Sequence, residues 1–149
     1  MSHDRIEREV LIEAPRERVF AVLTQAEHVA RWFGDCAEID LRPGGKASFG
    51  WSEEGMATFH AVIERVEPPY FFSYRWARHT DTEPVAGEAT LVEFTLSTDG
   101  GNTLLRVVET GFASLNATHD EQAQVADENT KGWTSELAEL KEYAERPVA

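Results

Sequence analysis

The chain has 149 residues, one domain's worth, and a compact unit of that size buries roughly 68–70% of its unfolded surface without needing disulfides or a structural metal. Acidic residues outnumber basic ones 27 to 14, for a formal net charge of −13, and that balance argues against nucleic-acid or anionic-membrane partners. No apolar run approaches the ~18 residues that read as a membrane span, and the start Met-Ser-His-Asp-Arg-Ile-Glu lacks a signal-peptide pattern, so a cytoplasmic protein without membrane insertion is expected.

In chain order, residues 5–13 place Ile6, Val10 and Ile12 on one face at period two, which predicts a strand. Ala14-Pro15 opens a helix whose apolar side is Val19, Phe20 and Leu23. Thr24, three residues before Glu27, has the spacing of a capping box and predicts a second short helix. That helix carries Trp32-Phe33 at its far end and stops at Gly34. Residues 37–41 and 46–51 flank a turn at Pro43-Gly44-Gly45. Residues 58–66 and 71–76 are strands separated by Pro68-Pro69. Neither parity of 58–66 is cleanly apolar: Phe59, Ala61 and Ile63 compete with His60, Val62 and Val66, and its inward face stays open. Residues 77–90 are polar and rich in turn formers, as in a mobile loop. Residues 91–97 and 103–110 surround Asp99-Gly100-Gly101-Asn102, a hairpin signal.

Residues 119–146 form a long helix with Val125, Asn129, Trp133, Leu137, Leu140 and Ala144 along one stripe, and Lys131, Glu139 and Glu142 opposite. A strand, two short helices, about six strands and a long helix define an α+β fold. Its curved antiparallel sheet of six to seven strands is covered on the concave side by the terminal helix. One domain over 1–149, with a core of about 5–145, is expected.

The single cysteine, Cys36, excludes an intrachain disulfide and a multi-cysteine metal site, and its acidic neighbours Asp35 and Glu38 mark it as structural. His3, His28, His60, His79 and His119 show no metal-ligand spacing and are expected at the surface. No P-loop, dinucleotide fingerprint or nucleophile elbow is present, and neither Ser48 nor Ser73 sits in a nucleophile motif. No metal or cofactor is expected.

Taken in order, Ala14-Pro15, Val19-Phe20, Leu23-Thr24, Trp32-Phe33, Pro43-Gly44-Gly45, Val66-Glu67-Pro68-Pro69, Gly101-Asn102-Thr103, Gly111-Phe112 and Gly132-Trp133 resemble the START-like, or SRPBCC, superfamily with its helix-grip fold. The branch they resemble comprises homologues of the C-terminal domain of the heat-shock-protein-90 ATPase activator. The resemblance implies a cavity for an apolar ligand such as a lipid or polyketide, with cyclase activity in some relatives. A chaperone partner fits the branch name, although the additional N-terminal domain of the eukaryotic co-chaperone has no counterpart in these 149 residues. The protein is expected as a monomer or homodimer.

Candidate chemistry centres on Glu109, which alternation puts on the side of Leu105 and Val107. Burial there would raise its pKa and suit a general acid or base. The same carboxylate could anchor a ligand or simply bond the long helix. Asn129, one turn before Trp133, could hold Glu109, orient a ligand or bond a loop. Gly132, a poor helix former, implies either the close approach of another backbone or room for a ligand. The expected ligand lining is Trp32, Phe33, Phe49, Trp51, Phe59, Phe72, Tyr74, Trp76, Phe94, Val107, Glu109, Asn129, Gly132, Trp133 and Leu137, with entry beside the 77–90 loop. Three functions follow in order: an apolar-ligand binder, an enzyme using Glu109 as proton shuttle, and a chaperone-associated interaction module.

Overall fold

The computed structural model describes residues 5–51 and 57–146. It contains strand β1 (Arg5–Ile12), helices α1 (Arg16–Thr24) and α2 (Ala26–Trp32), strands β2 (Cys36–Ile39), β3 (Lys46–Trp51), β4 (Ala57–Glu67), β5 (Phe71–Ala77), β6 (Ala89–Asp99) and β7 (Asn102–Thr110), a 3-10 turn at Phe112–Ser114, and helix α3 (His119–Ala144). The strands form one antiparallel sheet in the order β1-β7-β6-β5-β4-β3-β2, so sequential strands are neighbours and β1 closes the sheet on β7. The apolar faces of α1, α2 and α3 close over the sheet's concave side, where Ile12, Val19, Val92, Leu105, Val107 and Leu140 are fully buried. This is the helix-grip arrangement.

Local chemistry sets the boundaries. Gly34, at φ +71°, ends the α2 segment and lets Asp35 N–H donate to Gly50 O at 2.8 Å. A Cβ on Gly34 would lie 2.0 Å from Gly50 O, so the approach of α2 to β3 requires glycine. The inward face of β4 is Phe59, Ala61 and Ile63, after which the pairing with β5 shifts register between Ile63 and Arg65. Val66 is thereby returned to the core, opposite Phe72. That irregularity is why neither parity of the strand reads cleanly in the sequence.

Two expectations are corrected. Thr24 and Glu27 form no capping box, because Thr24 is buried in the last turn of α1 and donates its hydroxyl to Phe20 O at 2.7 Å. The N-cap of α2 is Gln25, without a side-chain bond. A complete box occurs instead at the start of α3, where Thr118 Oγ1 accepts from Glu121 N–H and the Glu121 carboxylate accepts from Thr118 N–H. The expected mobile loop is shorter, residues 78–88, and tethered: Arg78 pairs with Glu88 at 2.9 Å, Asp81 N–H donates to Thr58 O, and Asn116 N–H to Gly87 O.

Candidate functional site

Glu109 lies on β7 between β1 and β6, opposite Ile6 and Val92, with no exposed surface. Three elements send it donors. From β5, Trp76 Nε1 donates to Oε2 at 2.9 Å, and from β6, Thr90 Oγ1 donates to the same oxygen at 2.5 Å. From α3, Asn129 Nδ2 donates to Oε2 at 2.9 Å and Trp133 Nε1 to Oε1 at 2.8 Å. Burial raises the carboxyl's pKa above the ordinary value, while the bonds from Thr90, Trp76, Trp133 and Asn129 pull it back in part. Burial, and then the charge of Glu109, likewise keeps the Tyr74 phenol neutral. One carboxylate therefore ties three strands to the long helix.

Around this knot the rings pack closely. Trp76 stacks on Trp133 with centroids 5.5 Å apart, and Phe94 meets Trp133 edge-on at 5.6 Å. The space enclosed by Leu23, Trp32, Phe49, Phe72, Tyr74 and Phe94 amounts to about 20 Å³, room for about one water. Trp32 is committed elsewhere, its Nε1 donating to Val22 O at 2.9 Å. A larger opening of about 260 Å³ lies between α3 and the hairpin formed by β3 and β4. Its lining is Phe33, Trp51, Phe59, Trp76, Glu128, Asn129, Gly132, Trp133 and Glu136.

Three of those residues recur every four positions on α3. Gly132 stands between Glu128 and Glu136, and a Cβ built on it meets nothing within 4 Å. Among the described residues no backbone approaches there, which favours open space of the two reasons for a mid-helix glycine. Glu136 is half-buried; its Oε2 is enclosed and has no hydrogen-bond partner among the described residues. Burial, and then the charge of Glu139, pushes this carboxyl up to about 7.

Residues 13–145 match the family described as activator of Hsp90 ATPase homolog 1-like protein. The chain belongs to that family. Solved structures agree on the fold of the Hsp90-activator-like chain. A Mesorhizobium loti protein, MLL2253, superposes with a TM-score of 0.78 at 20% identity, covering 97% of this chain and 99% of its own. DynU16, from the dynemicin biosynthetic locus, gives 0.73 at 23% identity over 95% of this chain, which spans 47% of DynU16. The Aha1 dimer of Colwellia psychrerythraea gives 0.73 at 18% identity, covering 95% of this chain and 96% of that one. No protein of curated description matches the chain.

Within this family fold, the expected lining residues divide into three groups. Phe33, Trp51, Phe59, Trp76, Asn129, Gly132 and Trp133 face the cleft. Trp32, Phe49, Phe72, Tyr74 and Phe94 enclose the nearly filled interior, because their rings interdigitate where a cavity is expected. Glu109, Val107 and Leu137 are buried and line neither space. No residue of 77–90 lines the cleft, whose walls are α3 and the β3–β4 hairpin, but the loop adjoins it, following Trp76 directly and bonding Thr58 O through Asp81 N–H. Sequence reasoning misses Glu128 and Glu136. Their four-residue spacing about Gly132 is the signal that could have found them. Of the histidines, His28 Nδ1 lies 2.7 Å from the Tyr143 hydroxyl and His79 is exposed, while His3 is outside the described residues. Among the described residues no group of His, Cys, Asp and Glu is placed to hold a metal ion, and no helix is long and apolar enough to cross a membrane.

Proposed function

We propose that this protein binds a small molecule in the aromatic cleft between α3 and the β3–β4 hairpin, and that the ligand presents an apolar, aromatic or polyketide-like surface to the rings. Gly132 carries the reading: a glycine inside a helix costs about 1 kcal/mol relative to alanine, and no steric contact among the described residues demands it. The opening, about 260 Å³, sits near the lower end of small-molecule pockets, roughly 300–1,000 Å³, so it holds one or two rings while a larger ligand projects outward. DynU16's place in a biosynthetic locus is consistent with a ligand of that kind.

A proton-shuttle role for Glu109 is less well supported. Its carboxylate is sealed behind Trp76 and Trp133 and is surrounded by donors. Thermal unfolding against apolar aromatic, polyketide-like and fatty-acyl compounds tests the binding reading. A ligand at 100 times its Kd stabilises by about 2.7 kcal/mol, a rise of roughly 5–11 °C for a domain of this size. Gly132→Leu puts a side chain into the cleft from a position where a Cβ meets nothing within 4 Å among the described residues, and should abolish the rise while leaving the fold intact. If no compound shifts the wild type, a protein partner such as a chaperone takes precedence; if Gly132→Leu responds equally, the ligand lies elsewhere.

A further inference from the structure

Taking the cleft as the ligand site, its chemistry is not neutral. Its walls are the rings of Phe33, Trp51, Phe59, Trp76 and Trp133, with Phe33 and Trp51 centroids 5.6 Å apart and Phe59 and Trp76 5.2 Å apart. Aromatic faces carry partial negative charge and attract cations, most strongly where water is excluded. The charged residues of the lining are Glu128 and Glu136, and no Lys, Arg or His joins them among the described residues. Of the two, Glu128 is exposed and already accepts from Gln124 at 3.2 Å. Glu136 differs: its enclosed Oε2 lacks any donor among the described residues. A buried carboxylate oxygen without a donor is costly, and a ligand that supplies an N⁺–H donor there removes the cost.

We propose that the cleft selects organic cations, with the apolar body of the ligand against the tryptophan and phenylalanine rings and its ammonium group on the carboxylate of Glu136. A neutral ligand of the same shape gains the ring contacts, but its hydroxyl offers Oε2 only an uncharged donor, without the charge assistance of an ammonium. An anionic one meets two carboxylates and the electron-rich ring faces. The selection thus comes from one side chain and the ring set together, and is separable from apolar affinity.

The experiment uses three probes of one shape, 2-naphthylmethylammonium, 2-naphthylmethanol and 2-naphthoate, titrated calorimetrically against the whole protein and Glu136→Gln. The ammonium probe should bind the wild type about tenfold or more tightly than the alcohol, the size of one charge-assisted hydrogen bond. The naphthoate should bind weakest. Glu136→Gln should abolish the ammonium's preference over the alcohol, bringing the two affinities together. Alcohol or naphthoate binding as tightly as the ammonium in the wild type overturns cation selection and leaves the cleft standing. Failure of all three probes overturns both readings. An ammonium preference that survives in Glu136→Gln also overturns the assignment, because the preference then arises at another group.

Discussion

Replacing Glu109 by glutamine exchanges one carboxylate oxygen for an amino group, and the hydrogen-bond pattern decides which. Oε2 accepts from Trp76, Thr90 and Asn129, whereas Oε1 accepts from Trp133 alone. The amide should turn so that its carbonyl oxygen takes the three-donor position and its NH₂ faces the Trp133 indole N–H. Loss of charge is the smaller part of the cost, because burial disfavours the charged form of the carboxyl. The larger part is one lost bond and a buried donor left facing another donor, about 1–3 kcal/mol. That lowers Tm by roughly 2–12 °C for a domain of this size. Glu109→Leu is harsher. It strands the donors of Thr90, Asn129 and Trp133 together, Trp76 keeping Thr90 Oγ1 as an acceptor at 3.1 Å, and at about 1–3 kcal/mol each that is a large share of the whole stability of a domain, roughly 5–15 kcal/mol.

Denaturant unfolding followed by circular dichroism gives the stability. Proton–nitrogen spectra of the four tryptophan indoles give the site. In Glu109→Gln the Trp133 indole resonance should move upfield, with Trp76 and Trp32 nearly fixed, since their acceptors remain. Movement of Trp76 with Trp133 unmoved would refute the bond count, and a Glu109→Leu protein of wild-type stability would refute the tie itself.

Two further outcomes follow from other parts of the molecule. Glu136 has a folded pKa of about 7, above its ordinary 4.5. The fold therefore prefers its neutral form: stability is full below about pH 4.5 and is lost as pH rises through about 7. Glu139 on the next turn adds to this, Glu128 lies on the same cleft, and the packed strand residues Trp51 and Phe59 carry no charge. Because the side chain is only half-buried, screening reduces the effect to about 1 kcal/mol. Glu136→Gln should match the wild type near pH 4 and exceed it by that amount near pH 8.5 in urea unfolding; a pH-independent difference would contradict the burial argument. Thr118→Ala removes the capping box of α3 and should cost about 1 kcal/mol, a Tm roughly 2–4 °C lower, whereas Thr24→Ala should leave the start of α2 unaffected because no cap exists there.

Much of the fold is legible because its signals are local. Alternating apolar residues, paired glycines and the four-residue stripe of α3 specify strands, hairpin and covering helix one segment at a time. The β4 face is not legible, since a register shift at one residue inverts the alternation and leaves no mark of its own between Ile63 and Arg65. Cavity versus core is also beyond pattern reading. Phe49, Phe72, Tyr74 and Phe94 have the composition of a ligand lining, but whether rings meet or leave a gap depends on how far the sheet curls, which no short window encodes.

Two neighbouring rows of α3 explain why core and cleft coexist on one helix. Asn129, Trp133 and Leu137 form the row that turns inward: Trp133 and Leu137 are buried, and Asn129 and Trp133 bond Glu109. One residue earlier in each turn, Glu128, Gly132 and Glu136 form the row that faces the opening. Trp133 on α3 and Trp76 on β5 serve both spaces, with indole nitrogens bound to Glu109 and rings lining the cleft. Each ring is thereby held by a charge-assisted bond behind the wall it presents. A wall fixed before the ligand arrives spends less binding energy on ordering side chains. In the proposed role, Glu109 contributes to affinity without touching the ligand, by fixing the two tryptophans against which the ligand lies.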